Sequence, residues 1–237
     1  MQTSVRAPSR APSIRAMFGR IAGRYDLMNT VMTGGRHHAW RRLAVRSARP
    51  AGGRALDICC GTGDFALELA RQGASSVVGV DFGREMLALA ARKAQAAGLS
   101  DRVQWQLADA LTMPFPDNAF VCATSGFSLR NVDDVGRALR EMARVVAPGG
   151  RVVVLELTPV RSRLVGPVFR AYFRGLMPSV GGLVTGDRAA YTYLPDSVLA
   201  FPPADALADL MRNAGLLEVR YRLLALGAVA LHVGVKP

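Results

Sequence analysis

The chain has 237 residues, half of them hydrophobic and a fifth charged. That size suits one domain, or one domain with an elaboration, and buries enough surface to fold without a metal or disulfide staple. The composition excludes wholesale disorder, and no apolar run approaches the roughly 20 residues of a membrane span. The net charge is +12, and the three cysteines (Cys59, Cys60, Cys122) have neither the number for a disulfide framework nor zinc-ligand spacing.

Residues 1–13 carry two prolines and no apolar period, and are expected to be a disordered tail. A helical stretch follows from Ile14 to about Arg46, broken near Thr33-Gly34-Gly35. From Arg54 strand and helix alternate. Strands are expected at 55–59, 76–80, 103–107, 120–125 and 151–157. Helices are expected at 65–72, 84–97 and 133–146. Such alternation means an α/β fold, a parallel sheet with helices on both faces. Pro148-Gly149-Gly150 reads as a turn into the fifth strand. Residues 160–215 read as helical and loop-rich. Two closing strands, 218–224 and 229–235, are joined so tightly through Leu226-Gly227 that they must be antiparallel.

The stretch Leu56-Asp57-Ile58-Cys59-Cys60-Gly61-Thr62-Gly63-Asp64 links the first strand to its helix. Two glycines there let the backbone approach a ligand at the carboxyl ends of the strands. Asp81 ends the second strand, 20 residues after Gly61, where a carboxylate accepts hydrogen bonds from ribose hydroxyls. The pattern fits a nicotinamide cofactor or S-adenosylmethionine. Three features favour the latter. Asp64 would repel a pyrophosphate but suit an ammonium and a sulfonium. Asp109-Ala110 follows the third strand, where an acid can bond an adenine amino group. An antiparallel hairpin closes the chain. Asp57, Gly61, Gly63, Asp81 and Asp109 are therefore the candidate cofactor residues on this pattern.

The order of motifs resembles the class I S-adenosylmethionine-dependent methyltransferases. More narrowly, it resembles the menaquinone/ubiquinone biosynthesis C-methyltransferase family. The matching stretches are Met17 to Asn29 (MFGRIAGRYDLMN), Leu56 to Asp64, Pro114 to Phe120 (PFPDNAF) and Leu129-Arg130-Asn131-Val132. Arg144 to Arg151 (RVVAPGGR), Leu155-Glu156, Gly186-Asp187, Ala190 to Pro195 (AYTYLP), Gly227 and His232 also match. The likeness covers about residues 15–237. It departs at Cys59-Cys60, at Val121 and at Ser128. The resemblance implies a seven-stranded Rossmann-like sheet and S-adenosyl-L-methionine as cofactor. It implies Thr62 in the glycine turn, Asp81 on the ribose, Asp109 and Ala110 near the adenine, and Ser125 at the cofactor. It also implies C-methylation of a prenylated quinol ring, with demethylmenaquinol as the expected substrate and a benzoquinol as the alternative.

One domain, 14–237, is expected to carry this activity. Residues 14–50 would form a helical lid and 160–215 a helical substrate cover. A quinol carbon becomes nucleophilic when a ring hydroxyl loses its proton, so a base or a cation near the ring would help. Arg130, His232 and Tyr193 are the catalytic candidates, with Asp26 and Tyr191 also within the motifs. Arg130 cannot be a base, since arginine stays protonated. It can hold a phenolate, or simply pair with Asp133 or Asp134. Tyr25, Asn131, Tyr172 and Tyr191 are the candidate substrate contacts. His37-His38 is not expected to hold a metal, because adjacent helical side chains diverge. The positive charge and the insoluble tail fit peripheral attachment to an anionic membrane from the cytoplasm. A homodimer is left open. Nucleic-acid binding is disfavoured, because the arginines are scattered and an N-P-P-Y-type tetrapeptide is missing after the fourth strand. Another small-molecule methyltransferase remains open, and Asp64 disfavours a nicotinamide oxidoreductase.

Overall fold

The computed structural model describes residues 11–50, 52–160 and 188–237, with Gly166, Ala171 and Gly175. Two helices lead: α1 (Ala11–Thr33) and α2 (Arg36–Ala48). The break between them falls at Gly34 and Gly35, both with positive φ. Helix α1 starts at Ala11, so Ala11-Pro12-Ser13 belongs to the helix and not to a tail. Proline in a first turn costs nothing, since its missing N–H has no partner there anyway.

Then come β1 (Arg54–Ile58), α3 (Asp64–Arg71), β2 (Ser76–Asp81), α4 (Arg84–Ala96), β3 (Val103–Leu107) and β4 (Phe120–Gly126). A short 3₁₀ turn, Leu129–Asn131, leads to α5 (Val135–Val145) and β5 (Val146–Leu157). Helices α6 (Arg188–Ala200) and α7 (Ala204–Asn213), then β6 (Leu217–Leu224) and β7 (Val229–Val235), complete the described chain. The sheet has seven strands in the order β3-β2-β1-β4-β5-β7-β6. β1 to β5 are parallel, and β7 runs antiparallel to both β5 and β6. The order of connection switches from one side of the sheet to the other between β1 and β4, where open α/β sheets place ligands.

Successive residues of a strand face opposite sides, and the core divides accordingly. Leu56, Ile58, Val78, Val80, Val152 and Val154 pack on one side with Leu139 and Met142 of α5 and Met211 of α7. Ala55, Val77, Cys122, Val153 and Leu155 pack on the other with Ala44, Val45 and Phe65. Both sides are covered, so these strands read as near-continuous apolar runs.

Two boundaries differ from expectation. Helix α5 begins at Val135, because the Asp134 side chain caps it by accepting from Arg137 N at 2.8 Å. Strand β5 begins at Val146, so Pro148-Gly149-Gly150 lies inside a strand. The β4–β5 register jumps between Phe120↔Val146 and Cys122↔Arg151, a bulge that absorbs the extra residues. Gly149 N and Gly150 O are meanwhile paired with Lys236 at 2.9 Å each. Of the expected cover, 188–200 and 204–213 are helical. Phe169, Tyr172 and most of the rest lie outside the described residues.

Candidate active site

A cleft opens at the carboxyl ends of β1, β2, β3 and β4, lined by Asp57, Gly61, Thr62, Asp81, Asp109 and Ala110 among others. Asp81 organises it. One carboxylate oxygen accepts from Gly61 N at 2.9 Å and the other from Gly83 N at 2.8 Å. The acid at the end of β2 thus fixes the glycine turn after β1. Burial pushes its carboxyl up. Asp57 is 1% exposed and accepts from Thr124 Oγ1 at 2.9 Å and Ala66 N at 3.1 Å. Burial pushes it up to about 7 despite those bonds. Asp109 accepts from Leu111 N at 2.9 Å, and Ala110 is buried beside it.

Two predicted cofactor residues stand behind the cleft wall. Gly63 has φ +85, and a Cβ there would lie 2.5 Å from the Trp105 ring. It is glycine for the left-handed backbone and for helix packing. Ser125 is 1% exposed and shares a 2.7 Å hydrogen bond with Ser128 Oγ, and Ser128 is the one that lines the cleft. Ser125 positions the wall.

Helices α1 and α2 are pinned to the glycine turn and its helix. The Thr62 hydroxyl donates to Asp26 of α1 at 2.7 Å. Lys93 of α4 pairs with Asp26 at 2.8 Å, bonds Thr62 Oγ1 at 3.2 Å, and pairs closely with Asp64. Arg41 of α2 reaches the other Asp64 oxygen at 3.3 Å. Burial alone would raise the Asp64 carboxyl, but the Arg41 and Lys93 charges outweigh it and hold it below its ordinary value. Asp64 lines the same cleft with one protein cation on each of its oxygens. Lys93 and Arg41 were not anticipated, because residues 29 and 23 positions away in sequence carry no local signal.

A second cavity is largely apolar. Met17, Ile21, Met28 and Met32 of α1, Trp40 of α2, and Leu157, Leu194 and Val229 line it, with Arg130 and Tyr193. Phe18, Tyr25 and Phe127 line both cavities, so the two meet there. Arg130 pairs with Glu156 at 2.7 Å, not with Asp133 or Asp134. The two side chains are 7% and 1% exposed. Glu156 also accepts from Leu157 N at 2.9 Å, and Arg130 also donates to Phe127 O. Arg130 Nε is buried without a partner among the described residues. Tyr193 donates to Asn131 Oδ1 at 3.1 Å, and Asn131 lines the cofactor cleft, so the pair spans the two cavities.

The structure does not bring His232 to the site. It is 0% exposed in β7, its Nε2 bonds Ala204 O at 2.7 Å, and its ring lies 5.1 Å from that of Tyr221. It is a core histidine, which burial keeps neutral by lowering its pKa. The side chains of Tyr172 and Tyr191 lie outside the described residues. The His37 and His38 rings do not diverge; their centroids are 3.9 Å apart. His37 lines the apolar cavity, contacts Thr30 Oγ1 at 3.2 Å and bonds Arg41. Burial, then the Arg41 charge, lowers its pKa to about 4. Glu156 is the chief omission. Its signal was a lone acid at the end of an apolar strand.

The model of the ubiE/COQ5 methyltransferase family matches residues 6–236. The chain belongs to this family. A demethylmenaquinone methyltransferase of Thermus thermophilus is 49% identical over 93% of this chain and 100% of its own length. A ubiquinone/menaquinone biosynthesis C-methyltransferase of Desulfotalea psychrophila is 44% identical over 96% of this chain and 92% of its own. Among solved structures, an S-adenosylmethionine-dependent methyltransferase of Thermotoga maritima superposes with a TM-score of 0.66 at 22% identity, covering 94% of this chain and 99% of that one. One from Methanococcus maripaludis reaches 0.68 at 18% identity, covering 93% and 94%. These likenesses show the class I methyltransferase fold, as the strand order does.

Proposed function

We propose that this family member transfers a methyl group from S-adenosyl-L-methionine to a ring carbon of demethylmenaquinol, forming menaquinol. The observation that carries the reading is the meeting of an acid-lined cleft with an apolar cavity at Tyr25 and Phe127, with Arg130 in the cavity wall. The names of the Thermus and Desulfotalea relatives support it.

The cleft's groups suit the cofactor. The Asp81 carboxylate, fixed by Gly61 N and Gly83 N, lines the cleft as an acceptor for ribose hydroxyls. Asp109 offers an acceptor for an adenine amino group. When bound, S-adenosylmethionine supplies an electrophilic methyl group on a sulfonium. The protein's part is to hold the ring carbon in line and exclude water.

Arg130 is the group for the quinol oxygen. Its side chain lines the cavity, and Glu156 holds the guanidinium in place at 2.7 Å. A fixed cation there stabilises a quinolate as its charge develops. Tyr193 and Asn131, bonded to each other, orient the ring. The methionines and Trp40 take the prenyl tail. Residues 14–237 act as one domain, with 14–50 as the lid and helices α6 and α7 within the cover. The partners are the quinol and an anionic membrane reached from the cytoplasm. No helix among the described residues is long and apolar enough to cross a membrane.

Methyl transfer from labelled S-adenosylmethionine tests the reading, with reduced demethylmenaquinone, a reduced benzoquinol precursor and total RNA as acceptors. Label in the naphthoquinol is expected. Label in neither quinol, with cofactor binding intact by calorimetry, would overturn the substrate and leave the fold.

A further inference from the structure

We propose that the rim of the apolar cavity is a docking surface for an anionic phospholipid bilayer. The inference rests on the prenylated-quinol reading, since a membrane-soluble tail must pass from lipid into that cavity. Eight large hydrophobic side chains are exposed among the described residues. Four stand on elements that wall the cavity: Leu27 and Val31 on α1, Leu199 on α6, and Leu226 in the β6–β7 turn. A single exposed leucine is ordinary, but several around one apolar opening mark an interaction surface.

Helix α1 shows how the surface is built. Its cavity-lining residues include Met17, Phe18, Ile21, Tyr25, Met28 and Asn29. Arg24, Leu27 and Val31 form an exposed stripe at helical spacing. At about 100° per residue, the exposed stripe is centred roughly 120° from the lining, and Arg24 lies roughly 20° from Met17. The exposed stripe therefore borders one edge of the lining. Arg36, exposed at the start of α2, adds a second cation on the cavity lining. Aliphatic side chains beside arginines, on a chain of net charge +12, complement a surface with an apolar interior and phosphate headgroups. A polyanion would leave the leucines unused.

Leu226 supplies an independent observation. It is 81% exposed and held at φ +56, between Ala225 at +49 and Gly227 at +90. Glycine or asparagine is the usual occupant of such a backbone, and a bulky side chain there is strained. Its neighbours Ala225 and Ala228 line the cavity. The fold holds a strained leucine beside these lining residues, over a shallow depression it shares with Val160, Tyr221 and Leu223. Insertion into lipid accounts for it.

The test uses the full chain with phosphatidylcholine vesicles and with mixed phosphatidylcholine–phosphatidylglycerol vesicles. Co-sedimentation with the mixed vesicles at low salt, weakening at high salt, is expected. Leu226→Asn suits the left-handed backbone but cannot insert. It should lower vesicle partition about tenfold, with thermal stability equal or higher. Arg24→Glu should remove part of the salt-sensitive component. Wild-type protein that ignores the mixed vesicles, or Leu226→Asn that binds like wild type, would overturn the proposal. So would a dimer that Leu226→Asn converts to monomer, which would assign the face to a second copy. Methylation of a short-tailed, water-soluble quinol is measured separately. It should be equal in wild type and Leu226→Asn, and its absence from both would overturn the substrate reading itself.

Discussion

Removing Glu156 tests the logic of the site more directly than any other single change. Glu156→Ala strips the counter-charge from Arg130, whose side chain is 7% exposed. It also leaves Leu157 N, now bonded at 2.9 Å, and Arg130 N, at 3.4 Å, without their acceptor. Breaking a buried pair and stranding one charge costs about 3–5 kcal/mol. Arg212–Asp209 is the control: 52% and 69% exposed, it should be worth less than about 1 kcal/mol. Urea unfolding followed by far-UV circular dichroism measures both. The double variant Arg130→Met/Glu156→Leu leaves no stranded charge and should recover most of the stability, but not the methyl transfer, because the quinolate has lost its cation. The activity of Glu156→Ala should be low even where it remains folded, since the guanidinium is no longer anchored. A Glu156→Ala protein within about 1 kcal/mol of wild type would refute the reasoning, because the pair would then be solvated or dispensable.

Three further outcomes follow from the same geometry. Lys93→Ala unpins α1 from the glycine turn. The Michaelis constant for S-adenosylmethionine should rise about three- to tenfold with a smaller change in kcat, and an unchanged constant in initial-rate kinetics would remove the lid from cofactor binding. Asp57 ionises at about 7 in the folded protein against 3.8 ordinarily, so between those values the folded state holds the extra proton and its stability falls as pH rises. Asp57→Asn cannot ionise and should gain on wild type across that interval, whereas parallel urea midpoints near pH 4 and above pH 7 would contradict it. Gly63→Ala forces a Cβ to 2.5 Å from Trp105 at φ +85 and should cost about 2–4 kcal/mol by thermal unfolding; a loss near that of Gly61→Ala, where the space is open, would deny the packing role.

The sequence made the parallel sheet legible because its signals are local. A strand of five residues, a glycine turn and a helix with apolar residues three and four apart declare themselves within one window. The closing hairpin was legible from loop length alone. What stayed hidden depends on partners far along the chain. Pro148-Gly149-Gly150 has turn chemistry, yet a register jump in β4–β5 carries it inside a strand. His232 sits among residues that resemble the family's motifs, but alternation along β7 cannot say that its ring meets Ala204 O, 28 residues earlier. Asp81 succeeded for the opposite reason: its spacing from Gly61 is a property of one strand–helix–strand unit, and the 2.9 Å bond between them follows from it. Asp64 was legible only in part, because the protein cations on its carboxylate come from α2 and α4.

The arginine bias of the chain sharpens that last point. Only two of 30 basic residues are lysines, and both make defined tertiary contacts. Lys236 donates to Ala143 O at 2.7 Å. Lys93 meets Asp26, Thr62 and Asp64, from α1, the glycine turn and α3, with one nitrogen. An ammonium directs three donors outward from a single compact centre. A guanidinium spreads five donors over three nitrogens in a rigid plane, as Arg144 does between Glu141 and Asp117. Three acceptors converging on one point therefore select lysine. Lys93→Arg keeps the charge and should restore little of what Lys93→Ala loses. Full recovery of cofactor affinity in Lys93→Arg would mean that charge alone, and not its geometry, holds the lid.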